Sequence, residues 1–314
     1  MRNPSTPDAT PRVTVLLATR NGLRFIGEQL DSILGQAGVT VRVVALDDEP
    51  TDGTAEWLAE RASRESRLTV LHSEGASGSA AANFFRLVLH APLDGNDLVA
   101  FADQDDIWMP DKLSRHAALI DSLGVAAVSS NVISFTERGA RTLVRKDYRQ
   151  REFDYLFESA GPGSTFLMTR SLIDLVRRTL TENAEQVSRV ASHDWLIYAI
   201  ARASGLVWHI DHEPTVNYRQ HDSNVIGANL GAASALARLR LIGRHWHRDQ
   251  VHLVAQIVRP LAQPPQGARL EELRDLTAST SVRSRIALAS RAGELRRRPR
   301  DRFILRVLVS LGVW

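Results

Sequence analysis

The sequence predicts an α/β fold: a mostly parallel sheet flanked by helices, with a helical C-terminal extension. Three observations predict it. Between residues 12 and 111, short β-branched apolar runs alternate with helix-length stretches, the spacing of repeated β-α-β units. The runs lack polar alternation, as strands buried on both faces require. From residue 232 onward only helical patterns remain, interrupted at Pro260 and at Pro264-Pro265.

The elements follow in order. VTVLLAT (13–19) is the first strand, and a helix spans Gly22 to Leu34. VRVVAL (41–46) is a second strand running into Asp47-Asp48, followed by a helix over 54–63 and a third strand, LTVLH (68–72). A Gly/Ser/Ala segment (74–82) opens a helix through Leu89, and LVAFA (98–102) is the fourth strand. After Asp111 the pattern changes. VAAVSSNVISF (125–135) and GSTFLMT (163–169) read as strands around a mixed segment, 141–158. Helices follow over 171–180 and 193–204, then two short strands, 206–211 and 215–219. The division expected is a disordered leader (1–11), a main domain (12–230) and a helical extension (231–314) with a basic amphipathic tail.

Composition narrows the function. With 314 residues, 44% of them hydrophobic and 24% charged, the chain can bury a full core, which argues against disorder, collagen and coiled coil. It has no cysteine, which excludes disulfides, thiolate zinc, iron–sulfur clusters and cysteine nucleophiles. The net charge is +3, yet nine arginines lie within 281–314 against only Glu294 and Asp301. The basic excess therefore belongs to the tail and does not mark a nucleic-acid groove. MRNPSTPDATPR lacks the apolar core of a signal peptide, and no apolar run approaches the ~20 residues of a membrane span. A cytoplasmic protein is expected.

In doubly wound sheets, ligands bind beyond the carboxyl ends of the strands. Three of the first four strands end there in polar residues: Thr19-Arg20-Asn21, Asp47-Asp48, and Asp103 to Asp106. FADQDDIW is the sharpest signal. Carboxylates this close repel unless a cation sits among them, and oxygen-only ligands favour Mg2+ or Mn2+. A solvated acidic loop is the bland alternative, and Trp108 and Pro110 behind it argue for a shaped turn. An aspartyl-phosphate phosphatase would carry its motif on the first strand, with Thr or Val where Ile107 stands. A calcium loop would need Gly and Glu where Trp108 and Ser114 stand. In ALDDEPTDGT (45–54), two carboxylates at a strand end suit a base and ribose, whereas Asp52-Gly53-Thr54 suit turn and helix-cap chemistry.

ATRNG (18–22), DDEPTDGT (47–54), FADQDDIW (101–108), SHDW (192–195) and YRQHDSNVIG (218–227) together resemble the family 2 inverting glycosyltransferases of GT-A fold. FADQDDIW, HDW and YRQH look most like the bacterial rhamnosyltransferase branch. The resemblance covers about residues 12 to 228. It departs at Glu49-Pro50, where the family usually reads Gly-Ser, beside the nucleoside. It implies that Asp47 or Asp48 contacts a pyrimidine base, with Thr19 and Asn21 on the same donor side. It implies that Asp103 reaches the ribose or metal, and that Asp105, with Asp103 and Asp106, holds the divalent ion. Asp194 is the implied general base, and Arg219 and His221 lie in a loop over the diphosphate.

The chemistry agrees with these roles. Displacing a nucleoside diphosphate develops negative charge on the leaving group, which a metal and a cation offset. Inversion by direct attack needs one base for the acceptor hydroxyl, and Asp194 opens the helix WLIYAIARA, whose dipole favours its ionised form. Plain capping is the competing explanation for Asp194, and His193 reads as structural. GPGSTFLMT (161–169), with Gly163 and Ser164, is expected on the acceptor side, with Trp195 a candidate sugar platform or a core tryptophan. In DRFILRVLVSLGVW, Arg302, Arg306 and Ser310 form one polar stripe on an apolar helix, suited to the anionic inner membrane face, to the protein's own body or to a dimer contact. The sequence thus predicts metal-dependent transfer of a sugar, L-rhamnose from its dTDP-activated form by the resemblance, to a surface glycan or lipid-linked acceptor. A UDP-hexose donor and a non-catalytic sugar-nucleotide-binding subunit are the alternatives. A nucleotidyltransferase would carry a Gly-rich basic loop after strand one, and ATRNGLRF does not.

Overall fold

A computed structural model describes residues 10–48, 51–73, 75–94, 97–220 and 245–314. The expected leader, the Glu49-Pro50 departure, His221 and the expected domain boundary near residue 230 lie wholly or largely outside the described residues.

The first half is built as the strand–helix alternation requires. β1 (Arg12–Thr19), α1 (Ile26–Leu34), β2 (Thr40–Asp47), α2 (Thr54–Arg64), β3 (Leu68–Leu71), α3 (Ala80–His90) and β4 (Leu98–Ala102) give parallel strands in the order β3-β2-β1-β4. Seven consecutive residues of β1 are buried, because helices cover both faces of the sheet. The register sets Thr19 opposite Asp47, so the carboxyl ends of β1 and β2 finish level.

β5 (Ile107–Trp108), α4 (Lys112–Leu123), β6 (Ala127–Thr136), β7 (Arg141–Val144), β8 (Leu167–Met168), α5 (Arg170–Glu182), α6 (Ala184–Val187), α7 (His193–Ala203) and β9 (Trp208–Gln220) complete the body. The sheet continues from β4 through β8, β6 and β9 to β5, with β7 on the flank of β6. β8 runs antiparallel to both β4 and β6, so the sheet is mixed but mostly parallel in its first half.

Two expectations change. GSTFLMT is not one strand: Gly163–Thr165 form a 3-10 turn, and only Leu167–Met168 pair in the sheet. All these residues are buried, so an apolar run carries no periodicity to tell turn from strand. The two short strands expected over 206–219 are one strand, β9. Its register against β6 slips at Ser130, Asn131 and Val132, so a bulge carries Pro214, which has no N–H for the ladder.

The C-terminal region contains α8 (Trp246–Val258), α9 (Gln266–Ala278), α10 (Val282–Ser290), α11 (Ala292–Leu295) and α12 (Pro299–Leu311). Leu253, Leu270, Leu288 and Leu305 join the same apolar core as α3, α5 and α7. The basic run before α12 is not a free cationic face. Arg297 is only 3% exposed, and Arg302 donates to the carbonyls of Arg296 and Arg297. α12 buries Leu305 and Val309 and turns Phe303, Val307 and Leu311 outward. No helix among the described residues is long and apolar enough to cross a membrane.

Candidate active site

The ends of β1 and β2 present a polarised carboxylate. Thr19 Oγ1 donates to Asp47 Oδ1 at 2.8 Å, while Asp47 Oδ2 is buried with no hydrogen-bond partner. Burial pushes the Asp47 carboxyl above its ordinary range, and the Asp52 and Asp48 charges add to the shift. Asn83, in the first turn of α3, donates to the carbonyls of Thr19 at 3.1 Å and Leu46 at 3.2 Å. It staples the helix to both strand ends. Sequence reasoning missed Asn83, although an amide within the apolar run AAANFF was a usable signal.

Asp48 and Asn21 do a different job. Asp48 accepts from the backbone N–H of Ser77 at 2.5 Å and from its hydroxyl at 2.8 Å, so it anchors the segment leading into α3. Asn21, in the left-handed region at φ 51°, accepts from Thr51 N at 2.8 Å and ties the two strand-end loops together. Asp52 accepts from the N–H groups of Leu23 and Thr54, the turn chemistry expected of it.

The turn after β4 is clamped onto the turn after β1. Arg20 N donates to Gln104 Oε1 at 2.7 Å, and Gln104 Nε2 returns a bond to Arg20 O at 3.0 Å. A Cβ at Gly22 would stand 2.4 Å from Gln104 Oε1, so this clamp requires glycine there. Gln29 Nε2 donates to the Asp103 carbonyl at 2.8 Å. Burial, then the charges of Asp105 and Asp194, push Asp103 up to about 7. Three carboxylates from two separate elements therefore act on one another electrostatically.

Asp106 sits on the buried side of this cluster. It is 1% exposed, accepts from Arg219 N at 3.2 Å and lies beside Ser164 and Lys112. Burial first, then Asp105 and Asp103, hold its carboxyl well above the ordinary range. Among the described residues no group of three or more His, Cys, Asp or Glu is spaced to hold a metal ion. Asp103 and Asp105 still fit one. Mg2+ commonly takes one or two carboxylates together with substrate phosphate oxygens, and the repulsion that raises Asp103 is what a cation offsets. Behind Asp106, Lys112 Nζ lies 3.2 Å from the centre of the Trp108 ring, with no hydrogen-bond partner.

Arg219 braces this turn instead of reaching over it. Its guanidinium lies between the rings of Phe25 and Phe135, at 4.8 and 4.7 Å from their centres. Nε donates to the Asp105 carbonyl at 2.9 Å and Nη2 to Glu28 Oε2 at 2.5 Å. The expected reach toward a diphosphate is therefore replaced, in this arrangement, by a hold on the backbone that carries Asp105.

Asp194 stands in the first turn of α7, partly exposed. Its Oδ1 accepts from the Ser192 hydroxyl and from Trp195 N at 2.6 Å. One oxygen serves the first turn of the helix from within it, the N-cap being Ser192, and the same carboxylate lies close enough to raise Asp103. His193 is core: it stacks on Phe84 with ring centres 3.8 Å apart, and burial lowers it to about 4, keeping it neutral. The residues expected on the acceptor side are packed inside. Gly163 is buried against His193, Ser164 is fully buried beside Asp106, and Trp195 is a core tryptophan whose Nε1 donates to Tyr155 O at 2.9 Å.

A mostly parallel sheet whose carboxyl edge gathers aspartates from β2, the β4–β5 turn and α7 is the architecture of a glycosyltransferase. The chain belongs to glycosyl transferase family 2, whose sequence model matches residues 14–175. It is 36% identical to the dTDP-rhamnosyl transferase RfbG of Shigella flexneri over 240 residues, 76% of this chain and 83% of that protein. It is 26% identical to the succinoglycan biosynthesis protein ExoO of Rhizobium meliloti over 321 residues, 98% of this chain and 86% of that one. Among solved structures, Staphylococcus aureus TarS 1–349 in complex with UDP-GlcNAc superposes with a TM-score of 0.55 at 15% identity, covering 96% of this chain and 91% of that one. The mannosyltransferase PcManGT from Pyrobaculum calidifontis, in complex with GDP-Man and Mn2+, gives 0.50 at 19% identity, covering 99% and 88%. These likenesses show the GT-A fold.

Proposed function

We propose that this glycosyltransferase moves L-rhamnose from dTDP-rhamnose to a hydroxyl of a cell-surface glycan or lipid-linked acceptor, with inversion and with a divalent ion at the donor. The observation that carries the site assignment is the convergence of Asp103, Asp105 and Asp194. The similarity to a dTDP-rhamnosyl transferase supports the donor.

Each residue then has a task. The unpartnered Oδ2 of Asp47 accepts from the N–H of a pyrimidine base, and Thr19 fixes its rotamer. Asp103 and Asp105 would hold Mg2+ or Mn2+, which when bound offsets charge on the leaving diphosphate. Asp194 takes the acceptor hydroxyl proton as that oxygen attacks the anomeric carbon. With Oδ1 occupied by Ser192 and Trp195, the second oxygen is the basic one. Asn21, Asp48 and Arg219 position the loops around the donor. We assign this site to a domain over 12–230 and a supporting role to the helical extension, whose described helices α8 to α12 share the core of α3, α5 and α7.

We place the outer face of the C-terminal helices at the anionic inner leaflet. Val282 and Ile286 on α10 and Phe303, Val307 and Leu311 on α12 are exposed, with exposed Arg283, Arg300 and Arg306 on the same two helices. Apolar side chains edged by arginines suit that surface, at ~1 kcal/mol per basic residue.

A panel of nucleotide sugars, each with Mg2+, Mn2+ or EDTA, tests the reaction through nucleoside diphosphate release. Release from dTDP-rhamnose alone, lost in EDTA, is expected. Release only from UDP-sugars would keep the transferase and discard rhamnose. Co-sedimentation with anionic vesicles but not neutral ones tests the membrane assignment.

A further inference from the structure

We propose that a cavity beside the candidate base binds a phosphate group carried by the acceptor. The inference rests on the proposed transfer reaction for its role, but the cavity itself is a feature of the fold. It has a volume of about 360 Å³ and lies between the β7 segment and the turn preceding α12. Arg145, Lys146, Arg297 and Arg298 line it, against Glu158 and Asp301.

Part of its cationic lining is left unmatched. Arg297 is buried, yet its Nη1 has no hydrogen-bond partner. Its Nη2 donates to the Ser159 carbonyl and its backbone N–H to Glu158 Oε1 at 2.6 Å, so the guanidinium is fixed in place. Lys146 makes no ion pair among the described residues; its backbone is pinned by Asn131 Oδ1, which accepts from Lys146 N at 2.5 Å. Arg145 is paired with Asp147 at 2.7 Å, and Arg297 lies 3.5 Å from Glu158 Oε2 and 3.8 Å from Asp154 Oδ2, so Lys146, Arg298 and the Nη1 edge of Arg297 remain beside Asp301, an excess that a phosphate matches. A neutral sugar would leave it standing.

Lys146 lies within electrostatic reach of Asp194. Its Cγ would lie 3.7 Å from a Cβ at Gly161, and the chain from Gly161 continues to Ser164, beside Asp106. A phosphate held by Lys146 and Arg297 would set the sugar attached to it toward Asp194. Two sources share this chemistry: a phosphate or diphosphate linking the acceptor glycan to its carrier, and free inorganic phosphate.

The test uses the full chain and phenyl phosphate as the probe, titrated by calorimetry without divalent metal. Binding should weaken about tenfold in Lys146→Gln and in the exposed Arg298→Ala, and should not change in Asp47→Asn, which lesions the donor site. No binding, or equal binding in both cavity variants, overturns the proposal. Transfer to one glycan is then compared as a phosphate-linked and a neutral glycoside. The phosphate-linked form should have a KM about tenfold lower, an advantage that Lys146→Gln removes. Equal KM values beside genuine phenyl phosphate binding would assign the cavity to free phosphate and overturn the acceptor assignment. Failure of transfer with every donor would refute the rhamnosyl reaction while the phosphate titration still reads the cavity.

Discussion

Thr19 Oγ1 donates to Asp47 Oδ1 at 2.8 Å, which leaves the buried Asp47 Oδ2 with nothing to accept from. An unpaired buried carboxylate oxygen costs stability, and here burial raises its pKa. Asp47→Asn removes the charge while keeping the shape. Thermal melting should rise or stay level, while affinity for dTDP or UDP should fall about 10- to 100-fold by calorimetry. A variant that binds nucleotide normally would remove Asp47 from the donor site.

Asp103, Asp105 and Asp106 are neighbours in sequence with different surroundings. Asp103→Asn and Asp105→Asn should each abolish the rise in melting temperature that Mn2+ gives in the presence of nucleoside diphosphate. Asp106→Ala should keep that response but lower stability by about 1–3 kcal/mol, because Arg219 N and Lys112 lose their buried neighbour. Equal loss of the metal response in all three would restore the three-aspartate cage.

Gly163 owes its identity to His193. A Cβ there would stand 2.4 Å from His193 Nε2, and the ring cannot retreat because Phe84 stacks behind it. Gly163→Ala should therefore destabilise by about 1–3 kcal/mol in urea unfolding, and His193→Ala should recover part of the loss. Additive effects would show that the two residues do not press on each other.

Much of this was legible in the sequence, and the exceptions share a physical cause. The β1–β4 runs and the carboxylates at their ends could be read directly, because strands buried on both faces have a distinctive composition. What a side chain does once it is there depends on partners far away along the chain. Asp48 finds Ser77, Arg219 finds Phe25, Phe135 and Glu28, and Trp195 finds Tyr155. Residue type and spacing carry no record of those encounters. The acceptor side was least legible, since Gly163 and Ser164 read as the start of a strand and are packed inside as a 3-10 turn. Lys146, one of only two lysines in the chain, carried a signal by its rarity that was not used.

His247 makes part of the stability acid-labile. Trp314 Nε1 donates to its Nδ1 at 3.0 Å, and Nε2 lies 3.2 Å from the Phe157 carbonyl, the pattern of a neutral ring protonated at Nε2. Burial, with Arg296 nearby, lowers it from 6.5 to about 4. A lowered folded-state pKa contributes stability that is fully present above 6.5. It is lost as pH falls toward 4, because the unfolded chain takes up the proton first. The loss reaches about 2 kcal/mol by pH 5. Melting temperatures at pH 7.5 and 5 should differ less in His247→Gln than in the unaltered chain, and an unchanged difference would exclude His247 as the titrating group.

The central claim is that Asp194 is the base of a direct displacement. The measurement that tests it most directly compares transfer by the unaltered chain and by Asp194→Asn, with donor affinity measured on the same samples. The account predicts that kcat falls about 10²- to 10⁴-fold while donor affinity is unchanged, because Asn keeps the contacts to Ser192 and Trp195 but cannot take a proton. Turnover that survives the substitution would contradict it.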